Sequence, residues 1–104
     1  MSFIKVGICG ASGKMGKALI RAVQLNNDMQ LVGALEHFEN LNLGKDAGVV
    51  ANIEPVGIKI ISDTKTFFQD CDAVIDFSFA GAAINNITNA SQNNCAYVLG
   101  TTGL

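Results

Sequence analysis

This chain lacks runs of positive charge, long apolar stretches, cysteine pairs and repeated histidines. Its seven lysines and arginines are scattered among nine acidic residues, so no basic patch predicts binding to nucleic acid or to an anionic membrane. No apolar stretch reaches the roughly 18 residues of a membrane helix, and the N-terminus shows no leader pattern. These absences predict a cytoplasmic protein with no membrane or nucleic-acid partner.

Metal and nucleophile chemistry also lack their usual residues. Cys9, Cys71 and Cys95 form no C-x-x-C pair, so we expect small buried thiols in a reducing compartment, not disulfides or a zinc site. His37 is the only histidine, and no paired carboxylates or nucleophile motif accompany it. We therefore predict no metal ligand and no catalytic acid in these residues.

The chain is rich in apolar segments whose spacing predicts the fold. Hydrophobic residues make up 49% of 104 residues, enough for one domain with one modest core. Strands are predicted at residues 3–9, 29–35, 58–61, 72–77 and 96–99. Helical patterns lie between them, and this alternation predicts a Rossmann-type, doubly wound α/β fold with a parallel sheet.

The helical segments are predicted from spacing and from turn residues. The first follows the turn after strand one and ends at Asn26-Asn27-Asp28, with a buried face of Met15, Ala18, Leu19, Ala22 and Val23. Residues 43–51 are expected to form one or two helical turns, and residues 64–69 a short helix capped by Ser62 or Asp63. The last helix, residues 80–93, is predicted to bury Ala83, Ile84, Ile87, Ala90 and Ser91.

The turn after the first strand carries three glycines in a G-x-x-G-x-x-G pattern. Gly10 is expected to permit the tight turn, Gly13 to let the backbone approach a pyrophosphate, and Gly16 to let the helix pack closely. Free N–H groups of the first helical turn would then meet the phosphates. The predicted phosphate-binding residues are Gly10, Ala11, Ser12, Gly13, Lys14 and Met15.

The end of the second strand carries the predicted ribose site. Glu36 lies twenty residues after Gly16, where a carboxylate can accept both hydroxyls of an adenosine ribose. His37 follows where NADP-selective sites usually place an arginine. Because histidine is only partly charged near neutral pH, it supplies less charge for a 2′-phosphate, and Lys14 could add a second cation. The sequence fits equally well with His37 as a solvent-facing loop residue that has no role in binding.

The fourth and fifth strands end in Asp76-Phe-Ser-Phe79 and Gly100-Thr-Thr-Gly103. Ligands of open parallel sheets lie outside the carboxyl ends of the strands, so these segments should line the nicotinamide end of the cofactor. Phe77 or Phe79 could cover the ring, although Phe77 fits the core equally well.

These motifs together resemble the 4-hydroxy-tetrahydrodipicolinate reductase (dihydrodipicolinate reductase) family. The resemblance rests on V-G-I-C-G-A-S-G-K-M-G-K, A-L-E at 34–36, V-I-D-F-S at 74–78 and G-T-T-G at 100–103. It implies an oxidoreductase of diaminopimelate and lysine biosynthesis, which reduces the cyclic aspartate–pyruvate condensation product with NADH or NADPH. Gly100, Thr101 and Thr102 would lie by the nicotinamide, with Thr102 also near the substrate carboxylate.

The resemblance also implies a second domain with an H-H-x-x-K acid, an S-G-T substrate segment and the contacts of a homotetramer. Neither motif occurs here, so we expect residues 1–104 to be a dinucleotide-binding domain that binds cofactor without turnover. Many members carry arginine after the ribose-binding acid; with His37, NADH should bind at least as well as NADPH. The alternatives are the nucleotide domain of another dehydrogenase, such as an amino-acid or semialdehyde dehydrogenase, and a stand-alone nucleotide sensor.

Overall fold

Strands and helices alternate along the chain in the predicted order. The computed structural model describes residues 3–78 and 80–100. The strands are β1 (Ile4–Cys9), β2 (Met29–Leu35), β3 (Ile60–Ile61), β4 (Ala73–Asp76) and β5 (Ala96–Leu99). The helices are α1 (Lys14–Gln24), α2 (Ala47–Val50), α3 (Thr64–Gln69) and α4 (Ala80–Gln92). None of these helices is long and apolar enough to cross a membrane.

The five strands form one parallel sheet in the order β3-β2-β1-β4-β5. From β1 the chain moves outward to β2 and β3, then returns to the other side of β1 for β4 and β5. This reversal beside β1 is the switch point of a doubly wound sheet, where ligands bind in folds of this type. The Rossmann-type prediction is therefore confirmed, and the carboxyl ends of all five strands lie at one edge.

Each face of the sheet carries its own apolar layer. On one face, Val6 and Ile8 of β1 pack with Ile20 of α1. On the other, Cys9 of β1 packs with Phe67 and Phe68 of α3. Successive residues of β1 thus serve opposite cores, which is why its sequence is apolar throughout instead of alternating.

The three cysteines are buried and unpaired, as predicted. Burial raises the pKa of Cys71 to about 12, with smaller contributions from the neighbouring Cys95 thiol and nearby aspartates. Burial also raises the pKa of Cys9 and Cys95. Thiols with raised pKa values stay protonated and unreactive, so these residues act as small apolar side chains.

The predicted buried face of α1 is confirmed at Val23 but wrong at Met15 and Ala22. Gly16, Ile20 and Val23 are the buried residues, whereas Met15 is 50% exposed and Ala22 is also exposed. A Cβ at position 16 would overlap the Gly10 carbonyl oxygen. The helix therefore packs on the preceding turn through a residue without a side chain, which an apolar pattern does not register.

The predicted buried face of α4 is also wrong in part. Ala90 is buried, but Ile87 is 44% exposed and Ser91 is exposed. Asn86 is buried in their place, since it donates a hydrogen bond to the buried Asp76 carboxylate. The side chains of Ala83 and Ile84 lie outside the described residues.

The stretch between β2 and β3 is organised by a single carboxylate. Asp46 caps α2 by accepting hydrogen bonds from the N–H groups of Gly48 and Val49. It also accepts from Val56 at 3.0 Å and Gly57 at 2.8 Å, across the loop after α2. Burial acts to raise the pKa of Asp46, but these backbone donors outweigh it, so the pKa lies below its ordinary value.

We predict that Asp46→Ala lowers the free energy of unfolding by about 2 kcal/mol, because a helix cap and two cross-loop bonds are lost. Asp46→Asn should lower the free energy of unfolding by about half as much as Asp46→Ala does. A lowered pKa stabilises the folded state above the unfolded-state pKa of about 4, and this contribution is lost as the pH falls through the folded-state pKa. Urea unfolding at pH 7 and pH 3 should therefore show the gap between wild type and Asp46→Asn narrowing in acid. A gap that is the same at both pH values would contradict this account.

Candidate nucleotide-binding site

A cleft of about 290 Å³ lies at the carboxyl edge of the sheet, over the switch point. Gly10, Glu36 and His37, all predicted from the sequence, line it together. The other lining residues come from the ends of β1 and β2, the start of α3, and the segment from β4 into α4: Cys9, Leu35, Phe38, Ser62, Thr64, Ser78, Ala82, Asn85 and Asn86.

The three turn glycines meet different constraints. Gly10 has a φ of +76°, and a Cβ there would lie 2.9 Å from the backbone of Phe77 and Ser78. Gly16 admits no side chain because α1 packs there against the turn. Gly13 has a φ of −76°, and a Cβ there would meet only the Gly10 carbonyl oxygen, at 3.4 Å. The fold therefore requires glycine at positions 10 and 16, while position 13 stays open on its outer side.

The turn has already used several of its backbone donors. The N–H groups of Gly10 and Ala11 donate to the Leu35 carbonyl, and that of Gly13 donates to the Gly10 carbonyl. The helix α1 then begins at Lys14 with Gly13 as its N-cap and no capping side chain. Because first-turn N–H groups have no acceptor within a helix, those of Lys14, Met15 and Gly16 are candidate donors for an anion.

Glu36 is joined to the glycine turn through Ser12. One carboxylate oxygen, Oε2, accepts from the Ser12 N–H at 2.8 Å and the Ser12 hydroxyl at 2.6 Å. The other, Oε1, has a long contact of 3.3 Å with the His37 N–H. Since an ionised carboxylate offers about four acceptor positions, Oε1 retains capacity for further donors.

Asn40 completes this group, although the sequence pattern gave no indication of it. Its side-chain amide donates to the Ser12 hydroxyl oxygen at 3.0 Å, which directs the hydroxyl proton toward Glu36. Asn40 lies in an irregular loop, where neither periodicity nor spacing marks a residue. The only available signal is a hydrogen-bonding side chain shortly after Glu36, the predicted ribose-binding acid.

The residues after Glu36 form an exposed aromatic corner of the cleft. The rings of His37 and Phe38 lie 4.5 Å apart between centroids, and Phe38 is 70% exposed. The Nδ1 atom of His37 accepts from the Glu39 N–H at 3.3 Å. A large apolar ring exposed beside a polar cleft can bind the flat face of a ligand.

Phe77 and Gly100 lie together where β4 and β5 end. A Cβ at position 100 would overlap the Phe77 ring, so the ring lies against the Gly100 backbone. The Gly100 N–H donates to the Asp76 carbonyl at 2.8 Å, which fixes the ends of the two strands. Phe77 is half-buried, so its exposure does not decide between the two predicted roles, a core residue and a cover for the nicotinamide ring. Phe79, Thr101 and Thr102 lie outside the described residues.

A buried carboxylate, Asp76, lies directly before this pair, at the start of the segment that was predicted to line the nicotinamide end of the cofactor. Asp76 has no exposed surface, and it accepts from the Ser78 N–H at 2.7 Å and from the Ser78 hydroxyl. The side-chain amide of Asn86 on α4 donates at 2.9 Å, and the Tyr97 hydroxyl on β5 also donates. Burial acts to raise the pKa of Asp76, but these donors outweigh it and the pKa lies below its usual value.

Two solved structures share this fold. A dipicolinate-bound dihydrodipicolinate reductase from Paenisporosarcina sp. TG-14 is 25% identical, with a TM-score of 0.76 over 98% of this chain and 38% of that one. An aspartate semialdehyde dehydrogenase with NADP from Candida albicans is 19% identical, with a TM-score of 0.75 over 97% of this chain and 30% of that one. This second likeness shows the fold alone.

The sheet order and the glycine turn define the class as a Rossmann-type α/β domain. The family model described as "Dihydrodipicolinate reductase, N-terminus" matches residues 4–104. The 4-hydroxy-tetrahydrodipicolinate reductase of Rhodopseudomonas palustris (strain HaA2) is 39% identical over all 104 residues, which are 38% of its length. The chain belongs to the dihydrodipicolinate reductase family and corresponds to its N-terminal part.

The different constraints on Gly13 and Gly16 predict different effects of the same substitution. Gly16→Ala should lower the free energy of unfolding by about 2–3 kcal/mol, because the new methyl group has no space. Gly13→Ala should lower it by at most about 1 kcal/mol, because alanine adopts this φ without strain but is a weaker N-cap than glycine. Urea unfolding of both variants checks this. Equal losses would show that Gly13 is also required by the fold.

Proposed function

We propose that residues 1–104 form the dinucleotide-binding domain of a 4-hydroxy-tetrahydrodipicolinate reductase and bind NADH or NADPH along the carboxyl edge of the sheet. The observation that carries the proposal is the direct link from the uncapped N-terminus of α1, through Ser12, to the Glu36 carboxylate. This link brings a phosphate site and a ribose site into one rigid unit. Family membership supports the same role.

The adenosine end lies at Glu36. Its Oε1 atom has acceptor capacity for a ribose hydroxyl, while Ser12 and Asn40 fix the orientation of the carboxylate. Phe38 offers an exposed ring beside the same wall for the purine. A ribose diol that donates hydrogen bonds to the Glu36 carboxylate fits this arrangement, because the protein's own donors leave some acceptor positions of that carboxylate unoccupied.

The pyrophosphate lies at the start of α1. The first-turn N–H groups of Lys14 and Met15 donate to its oxygens, and the helix dipole favours the negative charge. Gly13 allows the backbone to approach, since no side chain stands between it and the ligand. The exposed Lys14 side chain adds a cation on the same turn.

The nicotinamide end lies at Phe77 and Gly100, with Thr101 and Thr102 predicted beside them. The reduced nicotinamide, when bound, supplies a hydride to the substrate. This chain orients the ring through the Phe77 side chain and the backbone at Gly100. From the family resemblance, Thr102 also binds a carboxylate of the substrate.

The complete reaction, reduction of 4-hydroxy-tetrahydrodipicolinate to tetrahydrodipicolinate, belongs to this proposal. The chain spans 38% of the length of the curated relatives it matches, and its residues include no candidate general acid. We therefore assign cofactor binding to these residues and protonation to residues outside the matched region. Three unpaired thiols favour the reducing cytoplasm as the location. The homotetramer implied by the resemblance stays a prediction.

We predict that the 104-residue chain binds NADH in a calorimetric titration and shows no reductase turnover. Gly13→Ala should weaken binding by about tenfold or more, because a methyl group separates the phosphates from the turn. Asp46→Asn is the matched control, since Asp46 lies outside the cleft and its loss should leave the affinity unchanged. Turnover by the wild-type chain would contradict the division of roles. Unaltered affinity in a folded Gly13→Ala variant would contradict the phosphate site.

We predict that NADH binds at least as tightly as NADPH at pH 8. The 2′-phosphate would lie beside the Glu36 carboxylate, and His37 supplies less positive charge than arginine would. His37→Arg should shift the ratio of dissociation constants toward NADPH by about tenfold, through a charge-assisted hydrogen bond. His37→Gln provides the uncharged control. A wild-type preference for NADPH at pH 8 would contradict this assignment.

A further inference from the structure

The Asp76 carboxylate accepts hydrogen bonds from four donors of the protein itself. Its Oδ1 atom accepts from the backbone and the hydroxyl of Ser78, and its Oδ2 atom accepts from Asn86 and Tyr97. These four donors occupy about all the acceptor positions of a carboxylate. No acceptor capacity remains for a ligand, so Asp76 differs from Glu36, whose Oε1 atom keeps some.

Stability alone does not account for a carboxylate at this position. Val74, two residues earlier, faces the same apolar layer of the sheet. Taking an ion out of water costs several kcal/mol, and well-packed apolar residues often replace buried charges without loss of stability. The donors to Asp76 are all neutral, so they satisfy its hydrogen bonds without cancelling its charge.

What Asp76 connects is the predicted nicotinamide end of the cleft. Its side chain binds Ser78 on the far side of Phe77, which fixes the backbone on both sides of that residue. The Asp76 carbonyl accepts a hydrogen bond from the Gly100 N–H. The Asp76 carboxylate accepts one from the hydroxyl of Tyr97, which lies on β5 three residues before Gly100. Phe77 lies against Gly100, so both parts of this wall are attached to Asp76.

Asn86 extends the same connection to the cleft surface. It is 3% exposed, yet it lines the cleft together with Ser78. The hydrogen bonds of Asp76 therefore join β4, β5 and α4, the three elements that surround this end of the site. Removing the carboxylate would break these side-chain links while the backbone pairing of β4 with β5 remains, and it would leave the Glu36 end untouched.

We propose that Asp76 is the positioning residue for the nicotinamide half of the cofactor, holding Phe77 and Gly100 as a preformed wall for the ring. This inference rests on the proposed function. Asp76 itself does not touch the cofactor, because its oxygens are fully occupied by protein donors. Tyr97 and Asn86 act through it.

The test compares NADH with ADP-ribose, which carries the adenosine and both phosphates but no nicotinamide. In Asp76→Asn, NADH affinity should fall by about tenfold while ADP-ribose affinity stays within about twofold of wild type. The fluorescence of bound NADH, which reports the surroundings of the reduced ring, should shift toward that of free NADH. Tyr97→Phe removes one donor and keeps the carboxylate, so its NADH affinity should fall by about threefold.

Asp46→Asn is again the control, because it removes a carboxylate that organises backbone far from this wall. Its unfolding temperature should fall with both affinities unchanged. Equal losses for NADH and ADP-ribose in Asp76→Asn, or no loss for either, would overturn the inference and leave Asp76 a structural residue. If Asp76→Asn does not fold, Tyr97→Phe decides by the same comparison. Failure of the wild-type chain to bind either ligand would instead reject the proposed function, and the inference with it.

Discussion

The close approach of α1 to the end of β1 is the contact on which the rest of the site depends. It is possible because Gly16 has no side chain where the helix meets the Gly10 carbonyl. The approach brings Ser12 within hydrogen-bonding distance of Glu36, which directly follows the neighbouring strand. Parallel pairing of β1 with both β2 and β4 then places the ends of those strands beside the turn.

Glu36 lines the cleft and Asp76 is buried below its lining residues Ser78 and Asn86, so the two carboxylates have contrasting surroundings. Glu36 is half-buried, and part of its acceptor capacity is open toward the cleft. Asp76 is wholly buried, and protein donors occupy it fully. Burial and the hydrogen bond to Asp76 raise the pKa of Tyr97, so its proton remains available to the carboxylate. Under the proposed function, Glu36 receives the ligand and Asp76 organises the protein around it.

Much of the fold and part of the site could be predicted from the sequence, because both depend on local patterns. Strand positions followed from apolar runs, and Glu36 followed from its distance to the glycine turn, since parallel strands end at one edge. The helix faces could not be predicted equally well: a glycine contact displaced the face of α1, and a buried acid drew Asn86 inward. Asn40 and Tyr97 act through contacts distant in sequence, which no single-chain pattern encodes.

The central claim is that one dinucleotide lies along the carboxyl edge, from Glu36 past the start of α1 to Gly100. Backbone amide NMR shifts of the 104-residue chain during an NADH titration test it most directly. The account predicts that the largest shifts fall at Lys14 and Met15, at residues 36–38, and at Ser78 and Gly100. The account would be contradicted if these amides stayed unchanged while shifts gathered elsewhere, such as the groove between Leu25 and Val56.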